Sequence, residues 1–234
     1  GWKATNEPRR RLKQVPLDLP EELVTGGDLQ MAATPDGRLV VRAGSEVHIL
    51  DRSMRVLQTV PGDEYYGSIA ASDDSVFHVH HDGETLHRSS HDGAVEAEYQ
   101  LEGYSSYSLV LAPGGLLFCV IHVGDDGERD EIIALDAQTL QLRHRFGLGL
   151  LNNAGRLAVG GDELYVCDTG NHRLQVFSLT GEHRRSIVGE WRSPMRLCFA
   201  KDRLYLLELS KVQSRRILVL SLQGDILQVV THPT

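Results

Sequence analysis

The chain has 234 residues, of which 41% are hydrophobic and 24% charged, and its formal net charge is −8. This length can bury a substantial core in one large domain or two small ones, and the composition excludes wholesale disorder. The longest apolar run, around residues 116–123, is too short to form a membrane-spanning helix. The negative charge argues against a broad nucleic-acid-binding surface.

In chain order, the sequence repeats one pattern five times: an apolar stretch, a polar turn and then three further strands separated by loops. The second strand of each unit begins at Leu39, Val76, Leu116, Leu164 and Leu204, which gives steps of 37, 40, 48 and 40 residues. The long step contains an acidic insertion at residues 124–130. Four short strands every ~40 residues are typical of β-propeller blades. A β-sandwich also has many short strands, but it has no reason to repeat a four-stranded unit.

The turn between the third and fourth strands of each unit repeats as well. These turns are rich in Asp, Ser and Gly, which cap their own backbone or tolerate positive φ. The fourth strands then alternate apolar and polar residues, as a half-buried strand does. The turns lie at residues 51–53, 91–93, 136–139, 179–181 and 222–224. An all-β fold of four-stranded blades is therefore predicted.

The fourth unit contains the most specific motif in the chain. Asp168 ends an apolar strand, Gly170 and Asn171 form a tight reversal, and Arg173 begins the next strand. Five residues apart across a hairpin, Asp168 and Arg173 are close enough for a charge-assisted hydrogen bond. The fifth unit is a looser copy, with Glu208 and Arg216 at the corresponding positions.

The stretch from Leu164 to Phe177, with its Asp-x-x-Asn-x-Arg-Leu-x-Val-Phe core, closely resembles an NHL repeat. The resemblance implies a propeller. It also implies six blades, the usual number in NHL propellers, whereas the sequence shows five units. We therefore divide the chain into an N-terminal segment, 1–27, and an NHL-type propeller, 28–234. The N-terminal segment contains a strand candidate, Arg11–Val15, which would help to complete a partial sixth blade. A closed five-bladed ring and a fragment of a longer protein are the alternatives.

A histidine group in the second unit is a candidate metal site. His78 and His80 project to one face of a strand, and His87 on the next strand can face His80. Two His from such a strand plus a third ligand suit Zn²⁺. The alternative is that these imidazoles are hydrogen-bonded spacers between blades. The sequence calls for no other cofactor.

Candidate partner-binding residues lie on the connections between strands. The acidic insertion lacks the spacing of a calcium loop, so its charges are expected in solvent, where a protein partner can reach them. Aromatic residues are the usual anchors of protein interfaces, although packing between blades accounts for them equally well. The candidates are Asp125, Asp126, Glu128, Arg129, Asp130, Tyr65, Tyr66, Tyr104, Tyr107, Trp2 and Trp191.

The basic residues bear on the class of partner, and the cysteines bear on the redox state of the compartment. Clusters at residues 9–13, 184–185 and 215–216 could contact phosphate, as in RNA-binding relatives of the family, but few aromatic residues are placed to stack on bases.

The three cysteines, Cys119, Cys167 and Cys198, lie in apolar stretches far apart in the sequence. They do not form a disulfide framework, which favours a reducing intracellular compartment.

The sequence contains no recognisable catalytic signature, neither a nucleophile elbow nor a glycine-rich phosphate loop. Lactonases and amidating lyases that resemble this family place a metal in the central channel, but the predicted inner strands here are almost free of carboxylates and imidazoles. The sequence therefore predicts a non-catalytic binding or scaffold module with a protein partner. A His-based metal enzyme and an accessory subunit of a larger assembly are the alternatives, and the oligomeric state is left open.

Overall fold

The structure is a computed structural model of an all-β protein. No helix in the described part of the chain is long and apolar enough to cross a membrane. The strand candidate Arg11–Val15, Trp2, Tyr65, Tyr66 and the acidic residues Asp125, Asp126 and Glu128 lie outside the described residues. The structure describes residues 3–4, 30–43, 46–61, 68–80, 83–123, 129–209 and 215–231.

Five antiparallel sheets succeed one another along the chain, and each is one blade of a β-propeller. A short strand, β1 (Lys3–Ala4), precedes them. Blade 1 consists of β2 (Gln30–Ala33), β3 (Leu39–Ala43), β4 (Glu46–Leu50) and β5 (Val56–Pro61). Blade 2 consists of β6 (Ile69–Ala71), β7 (Ser75–Val79), β8 (Thr85–Ser90) and β9 (Val95–Gln100).

The remaining blades follow the same plan with longer strands. Blade 3 consists of β10 (Tyr104–Ala112), β11 (Leu116–Val123), β12 (Arg129–Asp136) and β13 (Leu142–Phe146). Blade 4 consists of β14 (Ala154–Gly160), β15 (Glu163–Asp168), the 3₁₀ turn η1 (Thr169–Asn171), β16 (Arg173–Ser178) and β17 (His183–Val188). Blade 5 consists of β18 (Pro194–Ala200), β19 (Arg203–Leu209), β20 (Arg215–Leu220) and β21 (Ile226–Thr231).

Within each blade the four strands pair in chain order, so that the first strand is innermost and the fourth is outermost. The inner strands β2, β6, β10, β14 and β18 contact one another in the same order. The repeat predicted this arrangement, including the five four-stranded units. β1 adds a fifth strand to blade 5, because Lys3 pairs with Thr231 and Ala4 with Val230.

The core lies between blades, and this explains why the middle strands are apolar on both faces. Strand β11 is buried on both sides, since its alternate residues pack against different blades. Phe77 and Leu117 pack between blades 2 and 3, whereas Phe118 and Phe177 pack between blades 3 and 4. A further cluster that includes Tyr165 joins blades 4 and 5. A strand that is enclosed by two neighbouring sheets needs apolar side chains on both faces. Its sequence is therefore a continuous apolar run rather than an alternation of apolar and polar residues.

The turns between third and fourth strands are closed by local side-chain caps. Asp51 Oδ1 accepts from the backbone N–H groups of Ser53 at 2.8 Å and Arg55 at 3.0 Å. Ser178 Oγ accepts from the Glu182 N–H at 3.0 Å, and Ser221 Oγ from the Asp225 N–H at 3.0 Å. Such caps depend on residues a few positions apart, so they are readable from the sequence.

Candidate functional site

A buried carboxylate organises the turn of the fourth repeat. Asp168 is fully buried at the end of β15. Its Oδ2 accepts from Arg173 Nε at 2.7 Å, and its Oδ1 accepts from the backbone N–H of Asn152 at 2.8 Å. The Asn171 side-chain amide donates to both oxygens, at 3.0 and 3.1 Å. One carboxylate therefore ties the hairpin to the connection that enters blade 4.

Arg173 extends this network to the same connection. Its Nη2 donates to the carbonyl oxygen of Leu150 at 3.1 Å. When the Gln175 side-chain amide is assigned so that both of its ends find partners, its oxygen accepts from Arg173 Nη2 at 2.7 Å and its nitrogen donates to Ser186 Oγ at 2.7 Å. The spacing of Asp168 and Arg173 predicted their ion pair, but the backbone atoms that they hold could be found only in three dimensions.

Blade 5 repeats the arrangement with a longer acidic side chain. Glu208 is buried, and its Oε2 accepts from Arg216 Nε at 2.9 Å. Its Oε1 accepts from the backbone N–H of Arg192 at 3.0 Å, and Arg216 Nη2 donates to the Glu190 carbonyl at 3.4 Å. The weaker fifth repeat therefore secures the connection from blade 4 to blade 5 in the same manner.

Asp130 was expected to face solvent and contact a partner, but the structure buries it. It lies inside β12 and is only 2% exposed. Its Oδ2 accepts from the Ala154 N–H at 2.6 Å, and its Oδ1 contacts His122 Nδ1 at 2.5 Å. The prediction was wrong because β12 begins at Arg129 and takes Asp130 against blade 4, while Arg129 itself stays exposed.

The connection between blades 3 and 4 presents two apolar side chains. Leu148 is 52% exposed and Leu150 is 42% exposed, whereas Leu151 is buried. Gly147 permits the turn, since it has φ +87° and the Leu150 N–H donates to its carbonyl oxygen at 2.9 Å. The sequence pattern did not single out this pair, although the run of alternating Gly and Leu at residues 147–151 was the available signal.

The 3₁₀ turn η1 connects the neighbouring loops. The Gly170 N–H donates to the Asn152 carbonyl at 2.8 Å, and Thr169 Oγ1 donates to the Pro194 carbonyl at 2.7 Å. His172 Nδ1 accepts from the Ser193 N–H at 3.1 Å. We call the surface formed by residues 147–153, 169–172 and 189–193 the loop face. Its backbone is held by hydrogen bonds across three segments, so it is a rigid surface.

Trp191 lies within the loop face but points into the core. It is 3% exposed and packs in the cluster between blades 4 and 5. Its ring lies so close to Gly189 that a Cβ there would fall 1.9 Å from Trp191 Cζ3. The structure therefore places Trp191 in packing between blades, with little surface for a partner. Tyr104 and Tyr107 lie in β10.

The three histidines of the candidate metal site do come together. The ring centroid of His87 lies 5.3 Å from that of His78 and 5.2 Å from that of His80. His87 Nε2 also lies 3.6 Å from Glu98 Oε1. Among the residues that the structure describes, however, no three His, Cys, Asp or Glu side chains are arranged to hold a metal ion. The cluster is an aromatic contact between β7 and β8.

The basic residues at 184–185 form ion pairs at the opposite end of blade 4. Arg184 Nη2 lies 2.7 Å from Asp162 Oδ2, and Arg185 Nη2 donates to Glu163 Oε2 at 2.9 Å. Tyr165 donates to the same Glu163 oxygen at 2.6 Å. The hydrogen bonds from Arg185, Tyr165 and Arg184 lower the pKa of Glu163 to about 2. These arginines thus neutralise neighbouring acids rather than forming a free basic patch.

Glu163→Gln is expected to change how stability depends on pH. The folded-state pKa of Glu163 is lowered from 4.5 to about 2, so its contribution is present above pH 4.5 and is lost as the pH falls towards 2. Because Arg184 and Arg185 are partly exposed, we expect the variant to lose only about 1 kcal/mol at pH 6, or about 2–4 °C in Tm. Thermal unfolding of both proteins between pH 6 and pH 2.5 measures this. A Tm difference that stayed constant over that range would contradict the assignment.

The central channel is walled by the five inner strands. The channel-lining residues that the structure describes contain no carboxylate and no imidazole. Cys198, which the sequence placed in an apolar environment, is exposed there, because an innermost strand has the channel on one side. Cys119 and Cys167 are buried, and burial raises the pKa of the Cys167 thiol.

Comparison with known proteins supports this description of the fold. The NHL repeat model matches residues 151–177, which contain the Asp168–Asn171–Arg173 network. The fold is a five-bladed β-propeller, and its fourth blade contains an NHL repeat. No curated protein matches the chain.

Several solved structures share the fold at low sequence identity. A chain in a nidogen/laminin complex is similar with a TM-score of 0.68 and 15% identity, over 88% of this chain and 80% of that one. XC5397 from Xanthomonas campestris, a gluconolactonase, has a TM-score of 0.64 and 16% identity over 87% and 75%. BamB from Moraxella catarrhalis has a TM-score of 0.55 and 18% identity over 88% and 61%. These neighbours include an enzyme and a component of a protein complex, so they establish the fold alone.

Proposed function

We propose that this propeller is a non-catalytic binding module that holds a protein partner on its loop face. The observation that carries the proposal is the exposed pair Leu148 and Leu150 on a backbone that the buried Asp168–Arg173 ion pair fixes in place. Rigid presentation of apolar side chains lowers the entropy lost on association. Asn171, His172 and Arg192 add exposed polar groups to the same loop face, and the rim of an interface is typically polar.

Two further observations support a binding role. The described lining of the channel carries no acidic or imidazole side chain that could act as a general acid, a general base or a metal ligand. A chain of similar fold occurs in a nidogen/laminin complex, which shows that such a ring can take part in a protein assembly. The gluconolactonase has the same fold and is an enzyme, so the fold by itself does not distinguish binding from catalysis, and the residues of the site must do so.

The test compares capture of a partner by three forms of the full chain. The double variant Leu148→Asp/Leu150→Asp places charges on the loop face, whereas Leu142→Asp places one at the other end of blade 3, where Leu142 is 40% exposed. Since all three positions are exposed, we expect each substitution to change the free energy of unfolding by less than about 0.5 kcal/mol. Thermal unfolding checks that the three proteins remain folded.

Immobilised chain would capture its partner from an extract of the native source, and the affinity of that partner would then be measured by calorimetry. We expect the double variant to bind at least about tenfold more weakly, and the Leu142→Asp control to bind as the wild type does. Equal affinity for all three forms would exclude the loop face as the surface that binds the partner. Measurable turnover of a small substrate that both variants retain would instead indicate that the protein is an enzyme.

A further inference from the structure

The channel at the centre of the ring is an apolar cavity of about 630 Å³. All five inner strands contribute to its wall, for example through Ala33, Ala71, Leu111, Val159 and Phe199. This volume lies within the range of about 300–1,000 Å³ that small-molecule sites occupy. The cavity is therefore large enough for an organic ligand and too narrow for a folded domain.

One end of the cavity is polar. The residue immediately before the lining segment of each inner strand is Gln30, Ser68, Ser108, Arg156 or Arg196. Inner strands run in parallel around the ring from the loop face, so these five chain positions lie at the end nearest that face. Ser68 and Ser108 are buried there, and Ser108 Oγ accepts from the Leu157 N–H at 2.9 Å. Two of the five carry a positive charge.

A hydrogen bond shows that Arg156 reaches across the channel. Arg156 Nη2 donates to Gln30 Oε1 at 3.3 Å. Gln30 lies in blade 1 and Arg156 in blade 4, which are not neighbours in the ring. The pairing of β14 with β15 shifts register between Ala154 and Leu157, the segment that contains Arg156. The guanidinium therefore lies over the end of the cavity.

The charge of Arg156 has no acidic partner among the residues that the structure describes. Its guanidinium donates to Gln30, its backbone lies beside the buried Cys167 thiol, and the charge of Arg196 repels it. Burial, followed by the charge of Arg196, lowers the pKa of Arg156 to about 10, so the group stays protonated at neutral pH. Two like charges at the end of an apolar cavity are electrostatically unfavourable until an anion lies between them.

We propose that the channel binds a free single-chain amphiphile with an anionic head, of the chemical class of a medium-chain alkyl carboxylate. The carboxylate lies between Arg156 and Arg196, where planar guanidinium groups can each donate two hydrogen bonds to it. The alkyl chain lies along the apolar wall towards Ala33 and Val159. Charge complementarity excludes a cation, and an alkyl chain gains contact with the apolar wall that inorganic phosphate lacks. This site is separate from the loop face, so either proposal can fail alone.

Calorimetry with three ten-carbon probes tests the proposal. Decanoate, decanol and decyltrimethylammonium share the alkyl chain and differ in head-group charge, and each is used below the concentration at which it aggregates. We expect decanoate to bind saturably at one per chain, decanol at least about tenfold more weakly, and the cation not at all. Equal binding of decanoate and decanol, or no saturable binding of decanoate, would overturn the proposal.

Variants of the full chain separate the two ends of the site. The double variant Arg156→Gln/Arg196→Gln is expected to weaken decanoate binding at least about tenfold, to the level of decanol. Ala33→Trp places a large side chain in the apolar part of the cavity. It should abolish decanoate binding although the charges of Arg156 and Arg196 remain. Arg55→Gln removes an arginine whose side chain is 77% exposed beside the outermost strand of blade 1, and it serves as the control, which should bind decanoate as the wild type does. Loss of binding by the control, or unchanged binding by the double variant, would contradict the site.

Discussion

Asp168→Ala is expected to lower the free energy of unfolding by about 3 kcal/mol. The substitution leaves the Asn152 N–H without an acceptor and separates Arg173 from its fully buried partner. The cost stays near the lower limit for a broken buried pair, because the Arg173 side chain is 31% exposed and keeps part of its hydration. Chemical denaturation of the wild type and the variant measures the difference.

Asp162→Ala is the matched control in the same blade. Asp162 pairs with Arg184, but its side chain is 80% exposed. Such a surface pair contributes less than about 1 kcal/mol, so the control should unfold nearly as the wild type does. Glu208→Ala should behave like Asp168→Ala, since Glu208 holds Arg216 and the Arg192 N–H in the same geometry. Equal and small losses for all three variants would show that the buried pairs do not stabilise the ring.

Asp168→Ala should also alter the loop face. With Asn152 and Leu150 no longer held through Asp168 and Arg173, the connection that carries Leu148 and Leu150 gains freedom. Hydrogen exchange of the Asn152 amide should become faster than in the Asp162→Ala control. Unchanged protection of this amide would mean that other contacts fix the connection and that the carboxylate is not its anchor.

Trp191→Ala is expected to destabilise the ring by about 3–5 kcal/mol, the usual cost of emptying the site of a buried aromatic side chain. The ring of Trp191 lies in the cluster between blades 4 and 5, together with Tyr165, Leu204 and Leu218. Its removal leaves a cavity that the surrounding strands can fill only partly, because they are paired on both sides. Denaturation followed by circular dichroism gives the loss.

Comparison with other variants distinguishes packing from partner contact. Trp191→Phe keeps an aromatic ring and removes an Nε1 that has no hydrogen-bond partner among the described residues, so we expect a smaller loss, about 1–2 kcal/mol. Val188→Ala, at a position that is 75% exposed, should change stability by less than about 0.5 kcal/mol. A Trp191→Ala protein of wild-type stability that binds its partner weakly would instead make Trp191 an interface anchor.

Residues close together in the sequence account for what could be predicted. The steps of about forty residues, the apolar middle strands and the capped turns follow from strand periodicity and from contacts over a few positions. The Asp168–Arg173 pair belongs to the same class, since the two residues are opposite each other in one hairpin. Even Glu208 and Arg216 could be aligned, although the loop between them differs from that of the fourth repeat.

Residues far apart explain what could not be predicted. Asp130 was expected in solvent, but it caps Ala154, 24 positions away on the next blade. Trp191 was a candidate anchor, yet the approach of blades 4 and 5 buries it. No local pattern carries such information, because whether a loop residue faces solvent depends on which blade packs beside it.

The 234 residues by themselves determined five four-stranded units, the strands within them and the turn that resembles an NHL repeat, because each depends on period and on neighbouring side chains. They left open whether a partial sixth blade completes the ring, and the structure shows five blades. Only the tertiary structure decided where charges and apolar groups meet. The hydrogen bond from Arg156 to Gln30 joins residues 126 positions apart across the channel. The loop face likewise exists only after three separate connections are brought to one end of the ring. Both candidate sites therefore arise from the packing of successive blades around one axis, which brings together residues that the repeat keeps apart.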